Sequence, residues 1–222
     1  MVFVDPEGKI LGRHEGEISF DVLDRLIEDM VESFKAENRL SSHKLTYRLE
    51  RQEGSVLSFP GAVLADWGND RLFIADSNNN RILHIDLDGD LKGIIGGVTP
   101  GFQDGDYVLE EVNRPQGLAL DGNLLYVADT ENHAIRKVDL DERYVDTLVS
   151  NGRLSKGGDR GSRVGRMALN SPWDLTVHDG VLYIAMAGSH QIWRFDLVNG
   201  ELMVHAGNGK ENIRMNSLTN AL

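Results

Sequence analysis

The chain has 222 residues, of which 41% are hydrophobic and 26% are charged, as in an ordinary globular protein. It contains no cysteine, which excludes disulfides, thiolate metal sites and thiol redox chemistry within this sequence. Its formal charge of −12 disfavours nonspecific binding to nucleic acid, because a phosphate backbone repels a protein of the same sign.

Neither a membrane span nor an export signal is evident. Apolar runs such as Leu124–Ala128 are only strand-length, whereas a helix that crosses a bilayer needs about 20 apolar residues. The first residues, Met1–Asp5, lack the basic and apolar regions of a secretory signal. The absence of cysteine favours a cytoplasmic location, although many exported proteins also lack cysteine.

The first elements are a predicted hairpin and a predicted helix. Val2–Val4 and Lys9–Leu11 read as two strands joined by Asp5–Gly8, which suits a tight turn with proline at its second position. Apolar residues then recur at helical spacing from Phe20 to Phe34, and Ser19 is a candidate N-cap.

This front part is too small to bury a stable core alone. Residues 2–10 resemble the end of a thioredoxin-like domain, so residues 1–40 are expected to be the C-terminal part of such a domain. The paired cysteines and the cis-proline of that family would lie earlier than Met1, so its redox activity is not carried over to this chain. Residues 41–55 are predicted to be a connector.

A repeat organises the rest of the chain. Ile82, Ile135 and Ile192 occupy equivalent places, 53 and then 57 residues apart. Each copy holds four short runs rich in branched and aromatic residues, which are separated by Gly, Asn and Asp. Four antiparallel strands in each repeat of this length predict a β-propeller blade.

The repeat resembles the NHL repeat family. The match is carried by an aromatic-x-Ala-Asp strand, an Asn-rich turn and a following Ile strand, as in residues 73–82 and again in residues 126–135. The third copy departs from the pattern, with Met186 in place of the Asp and Ser189 in place of the Asn.

This resemblance implies a mainly β fold. Residues 56–222 are expected to form a partial NHL-type β-propeller, three four-stranded blades of an expected six. The preceding hairpin and helix are read as the remnant of a thioredoxin-like α/β domain. The chain is therefore expected to be truncated at both ends, with residues 41–55 as a possible outer strand that closes the full ring. An open half-ring exposes apolar blade faces, so the isolated chain is expected to self-associate.

The repeated polar turns are the first candidate site. Asn and Asp tolerate left-handed backbone and bond to nearby amides, which hairpin turns require. Because the motif recurs in successive blades, we interpret its residues as structural rather than catalytic; they are Asp76, Asn79, Arg81, Asp129 and Asn132.

No metal or cofactor is predicted. The Asp86–Asp90 segment has its glycine in the wrong place for an EF-hand and is read as a hairpin turn. The seven histidines lack the spacings typical of zinc sites.

The second candidate site is a basic stretch between the second and third blades. A ligand- or RNA-binding loop would use its five cations, Arg153, Lys156, Arg160, Arg163 and Arg166. The acidic total and the absence of interleaved aromatic residues argue against RNA, so a solvated loop is the alternative.

The sequence contains no catalytic motif, so the expected function is a non-catalytic binding or scaffold module. Its loops would be presented to a protein or a small ligand. Two alternatives stay open: an enzyme of the six-bladed lactonase or lyase type with an axial metal, or the substrate platform of a thiol-disulfide oxidoreductase.

Overall fold

A computed structural model describes residues 1–14, 18, 20–40, 56–97, 99–107, 109–150, 152, 154, 161–163 and 168–209, the side chains of 161–163 excepted. The chain divides into two compact units, Met1–Gly54 and Ser55–Leu222. Ser19 and the connector at 41–55 lie outside the described residues, so the predictions made for them stay predictions.

The first unit contains the predicted hairpin and helix. Strands β1 (Val2–Val4) and β2 (Ile10–Arg13) pair antiparallel, and helix α1 follows at Phe20–Ala36. Asp5 organises the turn, since its Oδ1 accepts hydrogen bonds from the amides of Glu7 (3.1 Å) and Lys9 (2.7 Å). The bond from Lys9 is the main reason why the pKa of Asp5 is lowered.

The described part of the second unit contains three antiparallel sheets, one for each predicted repeat. The first sheet has the order β3-β4-β5-β6, with the strands β3 (Ala62–Asp66), β4 (Arg71–Asp76), β5 (Arg81–Ile85) and β6 (Leu91–Gly96). The second has the order β7-β11-β10-β9-β8, with β7 (Gly105–Asp106), β8 (Pro115–Asp121), β9 (Leu124–Asp129), β10 (Ala134–Asp139) and β11 (Tyr144–Val149). The third has the order β12-β16-β15-β14-β13, with β12 (Gly161–Arg163), β13 (Pro172–His178), β14 (Val181–Met186), β15 (Gln191–Asp196) and β16 (Glu201–Ala206).

The three isoleucines take the same place in their sheets. Ile82 pairs with Ala75, Ile135 with Ala128, and Ile192 with Ala185, each across the second and third strands of a blade. The equivalence of the three repeats is therefore confirmed at the level of strand register.

The second and third blades have a fifth strand that the four-stranded prediction lacks. β7 pairs with the outer strand β11, and β12 pairs with the outer strand β16. Both extra strands come from the segments that connect one blade to the next. Arg163, predicted to lie in a loop, therefore ends an edge strand instead, because backbone pairing with Glu201 recruits this part of the connection into the sheet.

The second sheet is buried on both faces. Leu125 and Val127 belong to the core shared with the first sheet, whereas Tyr126 and Ala128 belong to the core shared with the third. Successive residues of a strand point to opposite faces, so β9 is apolar at every position from Leu124 to Ala128 and fills both cores. This stacking of sheets side by side is the blade arrangement of a propeller.

The outward faces of the first and third sheets are open. Ile135 is fully buried but its equivalent Ile192 is 39% exposed, and Leu118 is 6% exposed but its equivalent Val63 is 64% exposed. The sequence is apolar at these positions in every blade, which is the basis of the expected self-association of the isolated chain.

Candidate binding face of the propeller

Each blade has one short polar turn between its second and third strands. A single 3₁₀ turn occupies residues 77–79, 130–132 and 187–189, and the residue after it is left-handed: Asn80 (φ 51°), His133 (φ 50°) and His190 (φ 51°). Asn and His are among the residues that adopt this conformation most readily, which is why these types follow the turn.

In the first blade, Asp76 holds the turn together. Its carboxylate is completely buried. Oδ1 accepts from the Ser58 amide (2.7 Å), and Oδ2 accepts from Asn79 Nδ2 (2.8 Å) and Arg81 Nε (2.8 Å). The structure thus brings Asp76, Asn79 and Arg81 into one cluster that ties the start of the blade to its turn.

The second blade repeats this cluster with one change. Asp129 Oδ1 accepts from the Asn113 amide (2.7 Å), and Oδ2 accepts from Asn132 Nδ2 (2.8 Å) and Arg136 Nη1 (3.1 Å). Burial raises the pKa of Asp129 to about 6, although the bonds from Asn132 and Arg136 oppose that shift. In the third blade Met186 replaces the aspartate, so its turn is held without a carboxylate.

Arg136 is the important residue that sequence reasoning missed. It is fully buried and also donates to the carbonyls of Gln103 (2.7 Å) and Glu111 (2.9 Å) and to Asp104 Oδ1 (2.8 Å). In the first blade the cation directly follows the turn, but in the second it lies further along the strand. Because Lys137 stands beside it in the same strand, the sequence does not distinguish Arg136 from a surface cation.

Hydrogen bonds also join one blade to the next at this end. Ser77 Oγ donates to the Pro115 carbonyl (2.6 Å), and Thr130 Oγ1 donates to the Pro172 carbonyl (2.7 Å) at the equivalent place. The third blade has Ala187 there, which has no hydroxyl. The hydroxyl residues fix the spacing of the blades because each satisfies a carbonyl in its neighbour.

The residue that precedes the blade-starting proline is left-handed in all three blades. Phe59 (φ 49°), Arg114 (φ 51°) and Ser171 (φ 50°) share this backbone, which is uncommon for residues other than glycine. The next-blade amides of Arg114 and Ser171 are held by Asn80 Oδ1 (3.1 Å) and His133 Nδ1 (3.2 Å). These bonds hold an unfavourable backbone in place.

We call this end of the blades the loop face and define it by Phe59, Arg114, Ser171 and Trp173. Phe59 is 70% exposed and Trp173 is 53% exposed. Arg114 is also exposed, and its Nη2 donates to Asn78 Oδ1 (2.8 Å). The loop face therefore offers two aromatic rings and a guanidinium group to solvent on a backbone fixed by hydrogen bonds.

The basic stretch cannot be added to this face. Arg153, Lys156, Arg160 and Arg166 lie outside the described residues, and the side chain of Arg163 in β12 is not described. Its interpretation as a ligand- or RNA-binding loop stays a prediction.

Acidic turns lie at the opposite end of the blades. Asp86 accepts from the Gly89 and Asp90 amides as part of a hairpin turn, and its carboxylate pairs with Lys92 (2.6 Å). The Lys92 bond is the main cause of the lowered pKa of Asp86. Among the residues described, no group of three His, Asp or Glu side chains is arranged to hold a metal ion. Nor does the described part contain a helix that is long and apolar enough to span a membrane.

Comparison with known proteins identifies the repeats. Residues 112–138 and 169–195 match the family model described as NHL repeat. The chain is 44% identical over 220 residues to the protein SUPPRESSOR OF QUENCHING 1, chloroplastic, of Arabidopsis thaliana, covering 94% of this chain and 21% of that protein. It is 34% identical over 238 residues to human NHL repeat-containing protein 2, covering 98% of this chain and 33% of that protein.

A solved structure supports the fold alone. A structural genomics protein of unknown function from Bacteroides thetaiotaomicron VPI-5482 superposes with a TM-score of 0.50 at 21% identity, covering 74% of this chain and 38% of the other.

The chain spans about a fifth to a third of the length of the two curated relatives named above. Residues 112–138 and 169–195 of its second unit are NHL repeats, and the sheets that contain them are folded as blades of a β-propeller.

Proposed function

We propose that the propeller is a non-catalytic binding module whose loop face recognises a protein partner. One observation carries this proposal: Phe59, Arg114 and Ser171 share one backbone conformation but have three different side chains. A position that keeps its geometry and changes its chemistry from blade to blade suits recognition, because the scaffold sets the direction of each side chain.

The chemistry of the loop face favours a protein as the partner. Aromatic and arginine side chains contribute most of the binding energy at protein interfaces, and Phe59, Arg114 and Trp173 supply both types. The turns of the first and second blades are held by buried carboxylates and inter-blade hydrogen bonds, so binding costs little ordering of the backbone there.

We expect alanine at Phe59, Arg114 or Trp173 to weaken partner binding at least tenfold, as for residues central to an interface. The probe is a peptide selected from a random library against the wild-type chain, and its Kd is measured by titration. Trp67→Ala is the matched control, because Trp67 is 78% exposed but follows β3 at the opposite end of the blade.

Two results would overturn the proposal. One is an equal loss of affinity in the Trp67 variant. The other is a selected peptide whose binding ignores all three loop-face substitutions. Binding of single-stranded RNA at low salt is measured separately. If the wild-type chain binds this RNA and the triple variant Arg153→Glu/Arg160→Glu/Arg163→Glu does not, the function would lie in the basic stretch instead.

A second proposal concerns residues 1–40, which we infer to be the end of a thioredoxin-like domain. No residue of α1 is buried, although it carries apolar residues at helical spacing. Together with the hairpin it forms an open apolar groove of about 460 Å³, lined by residues that include Val2, Phe3, Leu23, Ile27 and Phe34. Such a face needs a cover, and further strands of one domain would supply it.

This inference predicts slower amide exchange when upstream sequence is present. Amides of residues 20–36 should exchange at least tenfold more slowly in a parent protein that carries residues before Met1 than in residues 1–222, because the groove is then covered. Amides of β9 are the internal control, since both of its faces are already buried. Equal exchange of α1 in the two proteins would contradict the assignment.

The thioredoxin-like assignment supports the platform alternative, in which the propeller presents substrates to an oxidoreductase domain of the parent protein. The lactonase or lyase alternative requires an axial metal, and the described residues supply no group of three ligating side chains in its favour.

A further inference from the structure

A folded-back segment covers the junction between the first and second blades. We call it the inter-blade strap and define it as residues 101–107 and 109–112. Gln103 and Glu111 pair with each other through both amides (3.4 and 3.2 Å), and the Gly101 amide donates to the Val112 carbonyl (3.3 Å). Val112 is fully buried in the core between the two blades, which anchors the end of the strap.

The second blade holds the strap through two side chains. Arg136 donates to the carbonyls of Gln103 and Glu111 and to Asp104, as described above. Asn132 Nδ2 donates to the Gly101 carbonyl (2.6 Å). The same two residues bind Asp129, so the strap and the polar turn of the second blade depend on one set of donors.

Under the strap lies a buried carboxyl group, that of Glu110. Glu110 is 3% exposed, and neither of its carboxyl oxygens has a hydrogen bond in good geometry; the Tyr107 hydroxyl is likewise buried and unpartnered. The backbone amide of Glu110 donates to the Asp106 carbonyl (3.0 Å), and the Gly96 amide is near its carboxyl group. A buried carboxyl that accepts no hydrogen bond in good geometry is better tolerated neutral than ionised.

The charges around Glu110 do not reverse this preference for the neutral carboxyl group. Desolvation raises its pKa to about 7, and Asp129 and Glu111 raise it further. Arg136 and the Gly96 amide oppose the shift. Arg136 is already shared between Asp129 and Asp104, which limits what it offers to a third carboxylate.

We propose that the inter-blade strap is a pH-dependent cover, closed while Glu110 is neutral and released when Glu110 ionises and turns to water. The closed strap binds a proton that the open strap, with an ordinary carboxyl pKa, gives up. The stability of closure is therefore fully present below the ordinary carboxyl pKa and is lost as the pH rises through about 7.

Hydrogen exchange of the complete chain tests this proposal. After correction for the intrinsic pH dependence of exchange, protection of the Gly101, Gln103 and Glu111 amides should fall about tenfold between pH 6 and pH 8. Glu110→Gln should abolish this fall, because a neutral amide replaces the titrating carboxyl group. Glu131→Gln, an exposed substitution in the adjacent turn, should keep the wild-type profile.

Protection that is independent of pH in the wild type would overturn the proposal, as would a fall that persists in Glu110→Gln. A fall shared equally by the amides of β9 would also overturn it, because that would report global unfolding. The wild type alone provides a second measurement should the variant not fold. The ¹³C shift of the Glu110 carboxyl should titrate near pH 7, and a midpoint below pH 5 would contradict the proposed cover.

Discussion

Replacing Arg136 with methionine is expected to lower the free energy of unfolding of the propeller by about 3–5 kcal/mol. Removing one partner of a buried ion pair leaves the other charge uncompensated, and here Asp129 is completely buried. The carbonyls of Gln103 and Glu111 also lose their donor. Equilibrium unfolding in urea at neutral pH, monitored by tryptophan fluorescence, measures the loss.

The adjacent residue provides the control. Lys137 pairs with Asp146 at 3.3 Å, with its side chain one-third exposed, and such pairs contribute about 0–1 kcal/mol. Lys137→Met should therefore stay close to the wild type. Adding Asp129→Asn to Arg136→Met should recover part of the loss, because the unpaired charge is removed. An Arg136→Met protein as stable as the Lys137 variant would show that the buried cluster is not a source of stability.

Gly117→Ala is expected to destabilise the contact between the second and third blades by about 1–3 kcal/mol, the usual range for overpacking. A Cβ at Gly117 would lie 2.5 Å from the Asp174 Cα and 2.8 Å from the Trp173 carbonyl oxygen. Both belong to the backbone of the neighbouring blade, so the strain is relieved only by moving the two inner strands apart. Thermal unfolding should show a lower Tm.

A second glycine separates crowding from other effects of the added methyl group. A Cβ at Gly97 would meet nothing within 4 Å and the residue has no positive φ, so Gly97→Ala should change the stability by less than about 0.5 kcal/mol. If Gly97→Ala and Gly117→Ala lowered the stability equally, the close approach of the two backbones at Gly117 would not be the cause of its loss.

Much of the fold could be predicted because the repeat shows the same pattern three times. Ile82, Ile135 and Ile192 set the register, and the Gly, Asn and Asp residues between the runs mark the turns. The local part of the clusters around Asp76 and Asp129 could be expected, because a short polar side chain in a turn finds hydrogen-bond donors such as Asn79 and Asn132 within a few positions of the chain.

The features that the sequence did not reveal depend on distant contacts. The extra strands β7 and β12 form because outer strands β11 and β16 offer unpaired backbone groups, which no property of residues 105–106 or 161–163 announces. Arg136 reads as a surface charge in a strand until the strap closes over it and supplies three oxygen acceptors.

The sequence by itself determined the four main strands of each described blade and the turns between them, because hydrophobic period and turn chemistry act over a few residues. Only the tertiary structure decided which charges are buried and what faces them, since Arg136, Asp129 and Glu110 acquire their environments when two blades and their connection pack together. Desolvation is a property of the assembled neighbourhood, and for that reason the behaviour of these three side chains emerges only in the folded propeller.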